Sequence, residues 1–194
     1  MKYFEYRRYR RRLKLDKALI FCFIVAIIYV VSFIKSNNIP PRKIIIAVIL
    51  VAMVFGVFYI GYHHVKKRIY LSSPMSKIDK MQGIQFEEYL KCLFEEMGYK
   101  VNLTPDTGDF GADLVCRKEG ISLIVQAKRY SSSVGVASVQ EVAAAKKYYC
   151  ADDCMVVTNS YFTAAAKELA EANDVVLLDR RDLEKLIRTH RKKS

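Results

Sequence analysis

Two uncharged runs limit what this chain can become. Residues 18–34 and residues 44–62 contain no Asp, Glu, Lys or Arg. Each is about as long as a helix needs to be to cross the hydrocarbon core of a bilayer, the first at the short end of that range. Between them lie only Lys35-Ser-Asn-Asn-Ile-Pro-Pro-Arg-Lys43, room for a tight turn. The pair reads as a transmembrane helical hairpin with Tyr29, Tyr59 and Tyr62 near the run ends, where interfacial aromatics collect. A cleaved signal peptide is the weaker reading of the first run, because no small-residue cleavage site follows it and a second span does. No charge sits within either run, so the helices carry no sign of a transport path.

Charge sets the orientation. The head, residues 1–17, carries eight Lys or Arg, the connecting loop carries three, and Lys66, Lys67 and Arg68 follow the second run. The positive-inside tendency then puts both ends in the cytoplasm and the loop outside. The net charge of +12 is therefore misleading as a sign of nucleic-acid binding. Residues 1–63 hold eleven basic and two acidic residues, and residues 64–194 hold 21 and 18, a net of only +3. Five cysteines, none in a Cys-x-x-Cys pair, indicate neither a disulfide framework nor a zinc site. Free thiols suit a reducing compartment. His63-His64 are adjacent and do not share a helical face, so they read as an interfacial polar pair.

Residues 63–82 read as a linker, with Ser72-Ser73-Pro74 breaking the chain. Beyond it the pattern turns to alternating elements. Phe86, Leu90, Leu93, Phe94 and Met97 fall on one helical stripe beginning near Gly83, and Gly98 stands where a C-terminal cap belongs. Tyr99 to Leu103 reads as a strand. After the central stretch, Val136 to Tyr149 reads as a helix, Cys154 to Thr158 as a buried strand, and Thr163 to Asn173 as a helix capped by Thr163. Val175 to Leu178 reads as a strand and Arg180 to His190 as a closing helix. This order indicates an α/β sandwich with a mixed sheet flanked by helices.

The central stretch, Gly108 to Tyr130, carries the chemistry. Two apolar runs flank Arg117-Lys118-Glu119-Gly120, a hairpin signal. Gln126 and Lys128 point to one side of their strand. A turn centred on Glu119-Gly120 sets Asp113 opposite Gln126. A turn one residue longer or shorter would carry Asp113 to the other face, and a polar face turned to water is the bland alternative. An amide and an ammonium on a buried strand need satisfying, and a metal ion with a phosphate would do it.

Five segments in this order and spacing carry a resemblance. They are Gly-Ile-Gln-Phe-Glu-Glu-Tyr (83–89), Met-Gly-Tyr-Lys-Val (97–101), Gly-Asp-Phe-Gly-Ala-Asp-Leu-Val (108–115), Val-Gln-Ala-Lys-Arg-Tyr (125–130) and Val-Thr-Asn-Ser-Tyr-Phe-Thr-Ala-Ala-Ala (157–166). About half the chain thus resembles the Mrr-type restriction endonuclease domain of the PD-(D/E)XK nuclease superfamily. The resemblance implies a restriction-endonuclease-like sheet over residues 83–190 and Mg²⁺-dependent hydrolysis of DNA phosphodiester bonds. It implies that Asp113 binds metal and that Lys128 is the catalytic lysine. Gln126 stands where the superfamily pattern is acidic, a variant used in the Mrr-like branch. Glu87 would complete the metal set, with Glu88 as the alternative one helical step away. Asp109 and Gly111 belong to the glycine-rich approach to the aspartate.

The chemistry of these groups agrees with that role. A divalent ion acidifies bound water and acts as a Lewis acid; Mg²⁺ takes oxygen ligands. Gln126 offers an oxygen without charge. Lys128 either orients water or holds the phosphate as a point charge. Arg129, Asp109 and Thr158 are the expected DNA contacts, with Lys146 and Lys147 reading as solvated surface. The expected partners are DNA, the lipid bilayer and, because cutting two strands takes two sites, a second copy in a homodimer. A non-catalytic nucleic-acid- or protein-binding module tethered to the inner membrane is the competing reading, motivated by Gln126 and the low charge of the soluble part.

Overall fold

A computed structural model describes residues 21, 23–29, 32–33, 40–104 and 110–191. The chain divides into two compact units, Met1–Lys66 and Lys67–Ser194. The basic head, 1–17, and part of the first uncharged run lie outside the described residues, as does Asp109.

In the first unit, residues 23–29 are helical, and Phe23 stacks on Phe55 at 4.3 Å between ring centroids. Phe55 belongs to α1 (Pro41–Leu71). Among the described residues one helix is long and apolar enough to cross a membrane, Ile45–Leu71, with a mean hydropathy of 2.6. Ile45, Ile49, Met53, Val57 and Phe58 on it are exposed, an apolar surface that lipid, not water, would suit.

Much of the stretch expected as a linker, 63–82, is helical. α1 runs on to Leu71, where Ser73 Oγ donates to Ile69 O at 2.7 Å. α2 (Met75–Ile78) follows directly after Pro74. Ile78 and Met81 are core residues, and Tyr70, Leu71 and Met75 pack on the same cluster. Serine, proline and lysine at the intervening positions disguise these apolar residues in the sequence.

The second unit is a three-layer sandwich. Its five-stranded sheet runs in the order β1 (Lys100–Leu103), β2 (Leu114–Lys118), β3 (Ile121–Lys128), β4 (Asp153–Thr158) and β5 (Val175–Leu178). β1, β2 and β3 pair antiparallel, and β3, β4 and β5 pair parallel. The parallel part is covered on both faces, which is why β4 reads as an almost unbroken apolar run.

On one face, α3 (Gly83–Glu96) and α6 (Arg180–Arg191) cover Leu114, Cys116, Leu123 and Val125. α3 contributes the stripe seen in the sequence: Phe86, Leu90, Leu93 and Phe94 are all buried. Each such side chain stabilises the fold by about 1.5–3 kcal/mol. The helix opens on Gln82, whose backbone N–H donates to Gln85 Oε1 at 3.0 Å. It stops at Gly98, where φ is +89°, a conformation that only glycine adopts without strain. On the other face, α4 (Val136–Tyr148) and α5 (Ala164–Ala172) cover Ile124, Cys154, Val156 and Val175. Thr163 caps α5, its Oγ1 accepting from Ala166 N at 3.2 Å.

Candidate active site

The site begins at the tip of the β2–β3 hairpin. Glu119 and Gly120 both have positive φ, 52° and 85°, the signature of a two-residue turn whose twist matches the strands it joins. That turn pins the register from Lys118↔Ile121 to Leu114↔Val125. One step further, Asp113 lies against Gln126.

The contact is direct. Asp113 Oδ2 accepts from Gln126 Nε2 at 2.6 Å and from Ala127 N at 2.7 Å. Two donors on one carboxylate oxygen hold the group still, and bonds to a charged acceptor are the stronger kind. The amide of Gln126 is oriented by the same contact, since the reverse orientation would set oxygen against oxygen. Its Oε1 is therefore turned away from Asp113. Gln126 is 4% exposed, and this oxygen is buried with no hydrogen-bond partner among the described residues. A buried acceptor without a donor costs about 1–3 kcal/mol, which a bound cation would relieve.

Lys128 lies on the same side of β3 as Gln126. Its side chain is 17% exposed, and Nζ donates to Glu141 Oε2 at 2.8 Å. Burial is the strongest single influence on this ammonium and pulls its pKa down. The hydrogen bond and charge of Glu141, with smaller help from Tyr130 and Asp113, together outweigh it and hold the group above its ordinary value. Lys128 is thus a cation at neutral pH.

Glu141 did not figure in the reading of the sequence. It projects from α4 between the buried Val139 and Val142. No local spacing rule joins it to a lysine thirteen positions earlier across a loop. Gly111 brings the two segments together. Its φ is +89°, and a Cβ there would lie 2.7 Å from Glu141 O, so the loop leading to Asp113 rests directly on the α4 backbone.

The remaining expected residues are placed differently. Glu87 stands in the first half of α3, on the layer across the sheet from α4. The segment before α3 is tied to the ends of β3 and β4, because Asn159 Nδ2 donates to Asp79 Oδ1 at 3.0 Å and Arg129 Nη1 to Asp79 O at 3.5 Å. Glu88 is engaged elsewhere, accepting from the Tyr70 hydroxyl at 2.8 Å. No group of three His, Cys, Asp or Glu side chains among the described residues is arranged to hold a metal.

Thr158 is fully buried, and its Oγ1 donates to Lys128 O at 2.6 Å. The hydroxyl clamps two strand ends together and does not face outward to DNA. Arg129 points to the opposite side of β3 from Lys128 and packs on the Asp79 segment, its Nε buried. Asn159 is buried too, accepting from Tyr130 N at 2.9 Å. Cys92, Cys116, Cys150 and Cys154 are free thiols, and burial pushes Cys116 up to about 12, so it has no nucleophilic role.

The second unit is thus a mixed α/β sandwich whose central hairpin carries Asp113, Gln126 and Lys128 toward one face of the sheet. The family model described as Mrr_cat, restriction endonuclease, matches residues 78–187, more than half of the chain, and the chain belongs to that family. No curated protein sequence matches the chain. Among solved structures, the DNA modification-dependent restriction endonuclease AspBHI is similar at 20% identity over 63% of this chain and 35% of its own, with a TM-score of 0.48. The MspJI restriction endonuclease, solved with a 27-mer oligonucleotide, is similar at 20% identity over 66% and 30%, with a TM-score of 0.41. A protein of unknown function, AF1548, is similar at 16% identity over 48% and 55%, with a TM-score of 0.42. The chain thus spans between about a third and about half of the lengths of these structures.

Proposed function

We propose that this chain is a membrane-anchored endonuclease that hydrolyses DNA phosphodiester bonds with Mg²⁺. The observation that carries the reading is the buried, partnerless Gln126 Oε1 beside the fixed carboxylate of Asp113. The donors fit a hard cation, since both are oxygens. Asp113 and Gln126 would hold the ion, with Glu87 as a third ligand from α3. When bound, such an ion supplies Lewis-acid neutralisation of the phosphate and an acidified water.

The chain's own residues divide the rest of the work. Ala127 N and Gln126 Nε2 fix the orientation of Asp113 before substrate arrives. Lys128, protonated at neutral pH, acts as a point charge on the scissile phosphate and not as a base. Thr158 and Asn159 fix the ends of β3 and β4 so that Lys128 stays in register.

The anchor in this reading is the pair of spans 18–34 and 44–62, with the N-terminus and the nuclease domain in the cytoplasm. Cutting both strands of a duplex takes two sites, which a homodimer would supply. The test is cleavage of plasmid DNA by the full-length protein in detergent with Mg²⁺. Activity is expected with Mg²⁺, absent with chelator, and lost in Asp113→Asn and Lys128→Ala. Metal-independent binding of DNA without cleavage would favour a tethered binding module. Recovery of the chain in the soluble fraction without detergent would remove the anchor.

A further inference from the structure

We propose that Glu141 is the positioning residue for Lys128, delivered from α4 to hold the ammonium toward the phosphate and away from Asp113. The inference rests on the nuclease reading above and adds a residue to it.

Three observations support it. Lys128 Nζ lies 2.8 Å from Glu141 Oε2, and Asp113, hydrogen-bonded to Gln126 across the hairpin, faces the same side of the sheet as Lys128. Two carboxylates thus compete for one cation. Gln126, being neutral, cannot share in that competition. If Glu141 did not hold the ammonium, Asp113 would draw it in and lose the charge that a metal ion needs.

The position of Glu141 is also fixed to an unusual degree. Val139, Val142 and Ala145 anchor α4 in the core, and Gly111, two residues before Asp113, touches the Glu141 backbone closely enough to admit no Cβ. The approach of the aspartate and the origin of the Glu141 side chain are therefore set by one contact.

Stability does not account for the pair. The Lys128 side chain is 17% exposed and the Glu141 side chain 47%, so solvent screens the carboxylate end and the pair adds little to stability. The geometry is more tightly specified than that energy requires, which points to a role in arranging charge.

The test is calorimetric titration of the full-length protein in detergent with Ca²⁺, which probes the ion site without depending on turnover. Glu141→Gln is expected to weaken Ca²⁺ binding about fivefold to tenfold, the equivalent of about 1–1.4 kcal/mol. Adding Lys128→Met should restore the affinity, because nothing then falls onto Asp113. Glu141→Asp should keep part of the parental kcat in Mg²⁺, whereas Glu141→Gln lowers kcat with KM for DNA unchanged. Equal weakening by Glu141→Gln with and without Lys128 would make Glu141 act on the ion directly and overturn the positioning role. Parental Ca²⁺ affinity and kcat in Glu141→Gln would overturn it as well. A parent protein that neither binds Ca²⁺ nor cuts DNA would sink the nuclease reading and this inference with it.

Discussion

Gly111→Ala tests how tightly the approach to Asp113 is built. Two costs fall on the added methyl. With φ at +89°, an L-residue meets the left-handed penalty of about 1–2 kcal/mol. The Cβ would also sit 2.7 Å from Glu141 O and 2.8 Å from its carbonyl carbon and its Cβ, where ordinary contact begins near 3.4 Å. Backbone on one side and a core-anchored helix on the other leave little room to yield, and overpacking of this kind costs about 1–3 kcal/mol. The sum is about 2–5 kcal/mol. At about 4 °C per kcal/mol for a unit of this size, the unfolding midpoint should fall by about 8–20 °C. With 13 Tyr and no Trp, near-ultraviolet dichroism of tyrosine in the detergent-solubilised chain reports the transition. Gly120→Ala is the control: its φ is +85° but nothing lies within 4 Å of its Cβ, so it should show the first cost alone. Relief of the collision would move Asp113 and Glu141 apart by several tenths of an ångström. Cleavage well below the new midpoint should fall about tenfold to a hundredfold, as small misplacements do. If Gly111→Ala melts where Gly120→Ala does and cuts DNA at the parental rate, the close approach is not what orders the site.

Three further outcomes are expected. Gln126→Glu should tighten Ca²⁺ binding in calorimetry by adding a charged ligand, while lowering the metal-free unfolding midpoint, since two carboxylates then face each other where Nε2 now bridges to Asp113. Asp79→Asn should destabilise the fold at neutral pH and cease to matter in acid. Its hydrogen bond to Arg180 is the main reason the carboxyl sits below the ordinary 3.8, with burial opposing and Asn159 assisting. The tie is complete above that value and lost as pH falls through the lower folded one, so parental and variant midpoints should converge below 3.8. A chain beginning at Lys67 keeps the Lys67–Glu96 pair at 2.8 Å, the Tyr70–Glu88 hydrogen bond and the Leu71 packing, whereas one beginning at Pro74 loses all three. The shorter chain should be less stable by about 2 kcal/mol or more in denaturant titration.

Most of the sandwich was legible because its signals are local. The stripe on α3, the Thr163 cap and the apolar runs of β4 and β5 each answer to spacing or turn chemistry. The hairpin register was legible for the same reason: Glu119-Gly120 admits one tight turn, and the face of every residue up to Asp113 follows. What could not be read is tertiary. Ile78 and Met81 are isolated among polar neighbours, so 63–82 reads as a spacer until the sheet is there to receive them. Arg129 and Thr158 sit beside chemistry in the sequence, yet alternation turns the first to the other layer, and the second uses its hydroxyl on Lys128 O. Glu141 meets Lys128 only because α4 folds back along β3.

Glu119-Gly120 stands at the far end of β2 and β3 from Asp113, and it touches neither substrate nor ion in the proposed mechanism. Yet an inserted or deleted residue there would slide one strand along its neighbour by a single place. Leu114 or Ala112 would then arrive opposite Gln126, and the carboxylate would be carried round to the greasy side of the ribbon. A bend that performs no chemistry thus acts as the molecule's ruler: lengthen or shorten it by one notch, and the sandwich keeps its layers but loses the pairing of Asp113 with Gln126.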